Sequence, residues 1–281
     1  MTLAMDRRMF LAMMAASTRA AAAGEAVYDI DTARVLSGPK PRLTAGAARA
    51  VLGDTPFEML RIPRGDAAAM NGIVVRRRPG APTFLFCPGN GYSAATALQR
   101  LASAPVLASW SIAVFDYWSV GDAAPTIRAT KAALADAVRL LRRDARRIVV
   151  AGHSLGCWFA AELAASAAGV DHALLIAPGT TVEAVVRNTI DVTPGRKMRI
   201  DPDLASFDLV RQASRIRVPT AVLASQRDNV MPAAFAESIY RALPGKYRAS
   251  LMILPDVDHG AFFTDPRTWV LIAFLLDKDM P

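Results

Sequence analysis

The sequence alternates short apolar runs with longer segments of helical periodicity, and this alternation constrains the fold more than any other feature. Several of the apolar runs do not alternate with polar residues, which is typical of strands covered on both faces. The predicted strands are Phe57–Ile62, Gly72–Arg77, Thr83–Cys87, Ile112–Tyr117, Arg147–Ala151, Ala173–Ile176, Thr220–Ala224 and Ser250–Leu254. The predicted helices are Ala94–Ala108, Pro125–Arg143, Leu155–Ala168, Ala233–Leu243 and Pro266–Leu276. The sequence therefore predicts an α/β fold with a doubly wound, mostly parallel sheet of about eight strands and helices on both faces.

The length of 281 residues and the 53% of hydrophobic residues fit one large domain with a sizeable core. We expect this domain to span residues 56–281, after an N-terminal extension over 24–55. No helix is predicted between the early strands, which indicates an antiparallel start to the sheet. The mixed polar and helical sequence of about 181–217 interrupts the alternation, and we expect it to form a small cap insertion over the carboxyl edge of the sheet.

The first 23 residues have the three parts of an export signal. Arg7 and Arg8 are followed by a short apolar run, and a stretch of small residues ends at Ala23. The R-R-x-F-L core is typical of a twin-arginine signal. We expect cleavage after about Ala23 and a periplasmic or secreted bacterial protein. The alternative is an alanine-rich N-terminal helix packed on the domain, which would leave the protein cytoplasmic.

The chain carries 33 Lys and Arg against 25 Asp and Glu, a formal net charge of +8. An excess of positive charge makes nucleic acid a partner to consider. The basic runs Arg76–Arg78, Arg142–Arg143 and Arg146–Arg147 nevertheless lack interleaved aromatic residues. We interpret them as a solvated surface rather than a phosphate-binding patch, and we expect no nucleic-acid partner. No run of 18 apolar residues occurs, so no stable membrane span is expected.

The chain has two cysteines, Cys87 and Cys157, with neither metal-binding nor redox spacing between them. In an oxidising compartment, a disulfide between these two cysteines is one alternative. The interpretation we favour is two buried thiols.

A strand–turn–helix motif lies between Arg147 and Gly156, where the sequence reads R-I-V-V-A-G-H-S-L-G. The G-x-S-x-G of this motif places a serine on a sharp turn with its hydroxyl exposed, and the two glycines avoid clashes there. With a buried strand before it and a helix after it, the motif predicts that Ser154 is a nucleophile.

A serine hydroxyl is a weak nucleophile and needs a base. The chain has three histidines. His153 adjoins Ser154 and cannot easily turn to face its hydroxyl, while His172 leads into a strand at the far end of the sheet. His259 follows the last predicted strand, at the carboxyl edge where Ser154 also lies. We therefore predict that His259 is the base.

The base needs a carboxylate to fix its tautomer and stabilise the imidazolium. Asp228 lies on the loop after the strand Thr220–Ala224, again at the carboxyl edge. Asp256 and Asp258 are nearer to His259 in sequence, but neighbours on one loop seldom face the same ring nitrogen. We predict that Asp228 is the carboxylate that orients His259. The alternative is that Asp228 caps a helix at the surface.

A tetrahedral intermediate also needs hydrogen-bond donors for its oxyanion. The backbone N–H of Leu155, at a helix N-terminus just after the nucleophile, is one predicted donor. The glycine-rich loop after Thr83–Cys87 should supply the second, with Asn90 as the first choice and Tyr92 behind it. A plain tight turn is the alternative for this loop.

From about Phe57 to the C-terminus the chain resembles the serine esterases and lipases of the α/β-hydrolase fold superfamily. The loop P-G-N-G resembles the family's H-G-x-G oxyanion loop, with Pro88 where histidine is usual. The turn starting at Asp116 resembles D-x-R-G-x-G, although Trp118 and Ser119 depart from it. The G-H-S-L-G elbow, the R-D-x-V-x-P stretch around Asp228 and the His-Gly pair at position 259 match well. The order Ser, Asp, His is also that of the family.

Together these residues predict a serine hydrolase that cleaves a carboxylic ester, or a related acyl bond, through an acyl-enzyme. The expected partner is a small ester-type substrate. No metal or organic cofactor is implied, since the sequence has neither a convincing metal cluster nor a G-x-G-x-x-G fingerprint. A thioesterase or peptidase with the same triad remains an alternative, and so does a non-catalytic binding protein of the same fold.

Overall fold

The computed structural model describes residues 17–19, 27–32, 43–65, 67–90, 92–117, 126–166, 169–189 and 197–277. Its strands are β1 (Ser17–Arg19), β2 (Val27–Ile30), β3 (Glu58–Arg64), β4 (Ala67–Val75), β5 (Thr83–Cys87), β6 (Ser111–Asp116), β7 (Ile148–His153), β8 (His172–Ile176), β9 (Lys197–Ile200), β10 (Thr220–Ser225) and β11 (Arg248–Leu254). Within the described part of the chain, eight of these strands form one sheet in the order β11-β10-β8-β7-β5-β6-β4-β3. Within this sheet of described residues, the pairs β3–β4 and β4–β6 are antiparallel and the other neighbours are parallel. The predicted sheet and its antiparallel start are confirmed.

The helices of the described residues follow the strands in alternation. They are α1 (Ala45–Leu52), α2 (Ala94–Ala102), α3 (Ile127–Leu141), α4 (Gly156–Ser166), α5 (Val182–Thr189), α6 (Pro202–Ala205), α7 (Leu209–Ala213), α8 (Ala233–Ala242) and α9 (Pro266–Asp277). Side-chain caps begin several of them: the hydroxyls of Ser93 and Thr126 accept from backbone N–H groups in the first turns of α2 and α3. Such caps satisfy donors that a helix N-terminus leaves unpaired.

The chain reverses direction across the sheet at β5, and this reversal opens a crevice at the carboxyl edge. After β5 it crosses through α2 to β6 on one side, and after β6 it returns through α3 to β7 on the other side. Right-handed crossovers in opposite directions place α2 and α3 on opposite faces. In open α/β sheets, ligands bind at the carboxyl ends of the strands where the order reverses. The loops after β5 and β7 meet at this point.

Two predicted boundaries differ from the observed ones by five residues or more, for local physical reasons. The strand predicted over Gly72–Arg77 begins earlier and covers Ala67–Val75, because it pairs with β3 as a hairpin that the alanines at its start do not reveal. The helix predicted over Ala94–Ala108 ends at Ala102, and a short 3₁₀ turn follows at Pro105–Leu107. Proline has no N–H to donate within a helix, so the α-helix stops before Pro105.

The segment predicted as a cap contains the short helices α5, α6 and α7 and the strand β9, with residues 190–196 outside the described residues. β9 pairs with β2, and β2 with β1, in a separate three-stranded sheet. α7 packs against α4 and α8. The role of this segment as a cap over the substrate stays a prediction.

Arg7, Arg8 and most of the predicted export signal lie outside the described residues. Among the helices that are described, none is both long enough and apolar enough to cross a membrane.

Candidate active site

Ser154 occupies a strained turn between β7 and α4. Its φ angle is 51°, a left-handed conformation that costs a non-glycine residue about 1–3 kcal/mol. The surroundings hold this conformation: the Ser154 N–H donates to the carbonyl of Ile176 at 2.9 Å, and the Ser154 carbonyl accepts from Cys157 N–H at 2.9 Å. The turn thus places the hydroxyl at the carboxyl edge of the sheet, as the motif predicts, but Ser154 is buried and its hydroxyl is not exposed, in contrast to the expectation from the sequence.

The two glycines of the motif allow β5, β7 and α4 to approach closely. A Cβ atom at Gly152 would lie 2.5 Å from the carbonyl oxygen of Gly156, and one at Gly156 would overlap the carbonyl oxygen of Cys87 in β5. Both obstacles are backbone atoms, which cannot swing aside as a flexible side chain can. The elbow therefore has no room for alanine at either position.

We expect Gly156→Ala to destabilise the folded protein by about 3 kcal/mol or more, because its methyl group would overlap a buried strand. For a chain of this size the corresponding fall in Tm is about 6–12 °C, measurable by thermal denaturation. The matched control is Gly245→Ala, whose new Cβ atom would have no neighbour within 4 Å. Equal Tm values for the two variants would contradict the close approach of β5 to the elbow.

The structure brings Ser154, His259 and Asp228 together in one buried chain of hydrogen bonds. His259 Nε2 lies 3.0 Å from Ser154 Oγ, and His259 Nδ1 lies 2.8 Å from Asp228 Oδ2. All three residues are at most 3% exposed. A carboxylate only accepts hydrogen bonds, so Nδ1 carries the proton of a neutral ring and Nε2 is left to accept from the serine hydroxyl.

The loop after β10 orients Asp228. Its Oδ1 atom accepts from the backbone N–H groups of Val230 at 2.9 Å and Met231 at 2.8 Å, which leaves Oδ2 for His259. This arrangement fixes the carboxylate in one rotamer.

The two alternative carboxylates are engaged elsewhere. Asp258 pairs with Arg227 at 2.9 Å and Asp256 with Arg267 at 2.7 Å, and both carboxylates are about half exposed. The nearest acids in sequence therefore turn outward from His259, as the sequence argument expects.

Two residues that sequence reasoning missed hold the loops of Asp228 and His259 in place. Buried Ser225 accepts through its hydroxyl from Arg227 N–H at 3.2 Å and from Val257 N–H at 3.0 Å, which joins the loop of Asp228 to the loop of His259. Asn188, from α5, donates to the carbonyls of Asn229 at 2.9 Å and Val230 at 3.1 Å. No local pattern marks either residue, because each acts across segments distant in sequence.

The two segments predicted to supply oxyanion donors lie beside Ser154. Leu155 follows Ser154 directly at the start of α4, and among the described residues its N–H has no assigned hydrogen-bond acceptor. The loop after β5 passes so close that a Cβ atom at Gly89 would lie 3.1 Å from Ser154 Cβ. Asn90 is buried in this loop, and Gly91 lies outside the described residues. The role of Asn90 as an oxyanion donor stays a prediction.

Tyr92, the second choice for an oxyanion donor, points its hydroxyl elsewhere. The hydroxyl donates to the carbonyl of Gly260 at 3.3 Å, next to the base. The guanidinium of Arg100 lies 5.4 Å from the ring centroid. Tyr92 therefore connects the loop after β5 to the loop that carries His259.

The other two histidines have the positions expected for residues that do not serve as the base. His153 is buried below the elbow, and burial together with the neighbouring His259 holds its pKa well below the ordinary value. His172 begins β8 at the opposite edge of the sheet, 3.3 Å from the Nε atom of Arg147.

Both cysteines are free and buried. The Cys157 thiol donates to the carbonyls of Gly152 and Ile176, each at 3.2 Å, and burial raises the pKa of Cys87 to about 12. Thiols in such surroundings are unreactive, which agrees with the interpretation of two buried thiols.

The aromatic residues near the site pack in the core. Trp158 stacks on Phe207 with centroids 5.2 Å apart, and Phe263 meets Phe86 edge to face at 5.2 Å. Trp118 lies outside the described residues. Across the described part of the chain, no group of three or more His, Cys, Asp or Glu side chains is placed to hold a metal ion.

Comparisons with known proteins agree with this architecture. An esterase of Pyrococcus furiosus superposes with a TM-score of 0.66 at 14% identity, over 87% of this chain and 98% of that one. An esterase of Pyrobaculum calidifontis superposes with a TM-score of 0.60 at 16% identity, over 82% and 86% of the two chains. At these identities the likeness establishes the α/β-hydrolase fold and not the substrate.

Sequence comparison adds a family and one curated relative. A pyrrolizixenacetamide deacetylase of Xenorhabdus hominickii is 30% identical over 89 residues, which are 31% of this chain and 32% of the relative. The match thus spans about a third of that protein. The family model described as serine hydrolase matches residues 117–259, just over half of the chain and the part that contains Ser154, Asp228 and His259. The chain therefore belongs to the serine hydrolase family and has the α/β-hydrolase fold.

Proposed function

We propose that this protein hydrolyses carboxylic esters through an acyl-enzyme formed on Ser154. The observation that carries the proposal is the buried chain of hydrogen bonds from Asp228 through His259 to the Ser154 hydroxyl. Its distances are those of a nucleophile and base within hydrogen-bond reach, with a third group that orients the base. The likeness to esterases supports the same class of reaction.

In the first half of the reaction, Ser154 Oγ attacks the ester carbonyl carbon and His259 Nε2 takes its proton. The imidazolium that forms is stabilised by Asp228, which keeps its negative charge. The tetrahedral intermediate then collapses, and His259 returns the proton to the departing alkoxide. The products of this half are an alcohol and an ester of Ser154.

The oxyanion of the intermediate needs two donors. Leu155 N–H supplies one, since it follows the nucleophile at the start of α4. The buried loop at Asn90 supplies the other, and the glycine before it lets this backbone lie against the serine. Backbone donors here do not depend on the histidine that Pro88 replaces.

In the second half, water takes the place of the alcohol. His259 removes a proton from the water, the hydroxide attacks the acyl carbon, and the proton passes to Ser154 Oγ as the acid leaves. The same residues therefore serve twice, and no step requires a cofactor.

The experiment that tests the proposal is hydrolysis of p-nitrophenyl esters, from acetate to palmitate, by the mature domain. We expect turnover on at least one ester, and the chain length with the highest kcat/KM measures the acyl pocket. No turnover on any ester, with Ser154 still labelled by a fluorophosphonate, would favour a thioesterase or peptidase. No turnover and no labelling would favour a non-catalytic scaffold.

We also propose that residues 1–23 direct twin-arginine export to the bacterial periplasm. We expect protein recovered from the periplasm to begin close to residue 24, as N-terminal sequencing would measure. Replacing both Arg7 and Arg8 by lysine should retain the precursor in the cytoplasm, because that route reads the arginine pair. The control is Arg19→Lys, which keeps the pair. Periplasmic protein with the pair intact would contradict the proposal.

A further inference from the structure

Two basic runs that are distant in the sequence meet at the amino edge of the sheet. They line a half-open cleft of about 450 Å³ between the end of β4 and the turn after α3. Arg76, Arg77 and Arg78 come from the first run and Arg143 from the second, and Asp144 is the one carboxylate among the residues that line it. The cleft therefore has a strong positive charge.

The charges of the cleft are only partly compensated. Arg76 pairs with Glu58 at 2.9 Å and with Asp144 at 2.8 Å. Within the described part of the chain, Arg77, Arg78 and Arg143 form no ion pair. These three arginines thus line one cleft, and Arg77 also borders a second depression beside α1 and α2.

Arg77 gives a second observation that points to a ligand. Its Nε atom is buried and has no hydrogen-bond partner among the described residues. Its backbone N–H donates to the hydroxyl of Ser111 at 3.1 Å, which fixes the chain at the cleft wall. A buried N–H without an acceptor is rare in proteins, and a small movement of this side chain toward a bound anion would give it a partner.

The cleft is separate from the candidate active site. It lies at Thr83, where β5 begins, whereas the elbow lies beyond the other end of that strand, where Cys87 pairs with Gly152. At about 3.3 Å per residue, the five residues of β5 put some 16 Å between the two.

In contrast to the solvated surface that the sequence alone suggests for these basic runs, we propose that this cleft binds a small soluble anion with two or more phosphoryl groups. Guanidinium groups form bidentate hydrogen bonds with phosphoryl oxygens. A single-stranded nucleic acid fits less well, because its binding grooves stack bases on aromatic side chains and no aromatic residue lines this cleft. A concave site of this size suits a compact ligand.

Calorimetric titration of the full chain with inorganic pyrophosphate, at physiological salt, tests the proposal. We expect saturable 1:1 binding that weakens about tenfold or more in Arg77→Gln and in Arg143→Gln, since each loses a charged hydrogen bond. The control is Arg211→Gln, an exposed arginine on α7. Ester hydrolysis should be unchanged in all three variants, so this result is independent of the proposed function.

Several outcomes would overturn the proposal. The first is that pyrophosphate does not bind at millimolar concentration. The second is that Arg211→Gln weakens binding as much as Arg77→Gln and Arg143→Gln do. The third is that a short DNA oligonucleotide binds more tightly than pyrophosphate through the same arginines. The last outcome would assign the cleft to nucleic acid instead.

A separate observation concerns His153, the residue before the nucleophile. Its ring is 1% exposed, and its Nε2 atom lies 3.2 Å from the backbone carbonyl oxygen of His259. A carbonyl only accepts, so Nε2 carries the proton and donates. The ring also meets Tyr92 and Phe263 edge to face, at 5.9 and 5.3 Å.

We infer that His153 is a positioning residue that ties the backbone of the base to the elbow. This inference rests on the proposed triad. The hydrogen bond connects β7 to a loop 106 residues away, and it fixes the residue whose ring must reach Ser154. Tyr92 supports the next carbonyl, that of Gly260.

Isosteric variants separate this role from simple packing. The amide nitrogen of glutamine reaches the place of Nε2, whereas that of asparagine reaches only the place of Nδ1. We expect His153→Gln to keep kcat within about tenfold of wild type and His153→Asn to lose a further tenfold or more at similar KM, as expected for a lost positioning bond. The labelling rate of Ser154 by a fluorophosphonate gives the same comparison without an ester substrate. Equal rates for the two variants would overturn the inference, whatever the outcome for ester hydrolysis.

Discussion

Ser154→Ala is expected to lower kcat for ester hydrolysis by a factor on the order of 10³–10⁶. The variant has no hydroxyl to form the acyl-enzyme, so the nucleophile is removed and only oxyanion stabilisation and substrate binding remain. Alanine is smaller than serine at a buried position, so the fold should persist. The measurement is kcat on the best p-nitrophenyl ester, together with thermal denaturation.

The control for this variant is its circular dichroism spectrum, which should match that of the wild type. Loss of fluorophosphonate labelling should accompany loss of turnover. Near-normal turnover by folded Ser154→Ala would show that another residue is the nucleophile, and the proposed mechanism would fail.

Asp228→Asn is expected to lower kcat by about 10⁴. The amide can donate to His259 Nδ1, which would place the ring proton on Nε2 and leave that atom unable to accept from Ser154. The imidazolium would also lose its charge partner. The side-chain shape is unchanged and Oδ1 can still accept from Val230 and Met231, so we expect little change in Tm.

Asp258→Asn is the matched control for the acid. Asp258 lies beside His259 in sequence but pairs with Arg227 at an exposed position, and an exposed ion pair contributes little. We expect its kcat to remain within a few-fold of wild type. The opposite pattern, in which Asp258→Asn is inactive and Asp228→Asn is active, would move the acid assignment to the loop of the base.

The proposal for Ser154 could be made from about twenty residues because its determinants are local. The buried strand before it, the two glycines and the helix after it all lie between Arg147 and Ser166, so spacing alone indicates the turn. The same holds for Asp228, whose loop directly follows a recognisable strand. Local signals of this kind can be recognised without knowing which segments pack around them.

Other features depend on contacts between distant segments. The hydrogen bond from His259 to Ser154 joins residues 105 positions apart, and only the order of strands in the sheet brings their loops to one edge. Arg77 and Arg143 meet for the same reason. An apolar run shows that a strand is buried, but it does not tell which strand lies next to it or in which register the two strands pair.

The sequence by itself determined the fold class, the turn that carries Ser154 and the loops that carry His259 and Asp228, because hydrophobic period, glycine spacing and chain order can be read along the chain. The tertiary structure decided that Asp256 and Asp258 pair with arginines away from His259, how Ser225 and Asn188 hold the two loops, and that His153 bonds the backbone of His259. It also decided that two basic runs share one cleft. Each of these depends on the directions of side chains from separate strands, and packing of the whole sheet sets those directions.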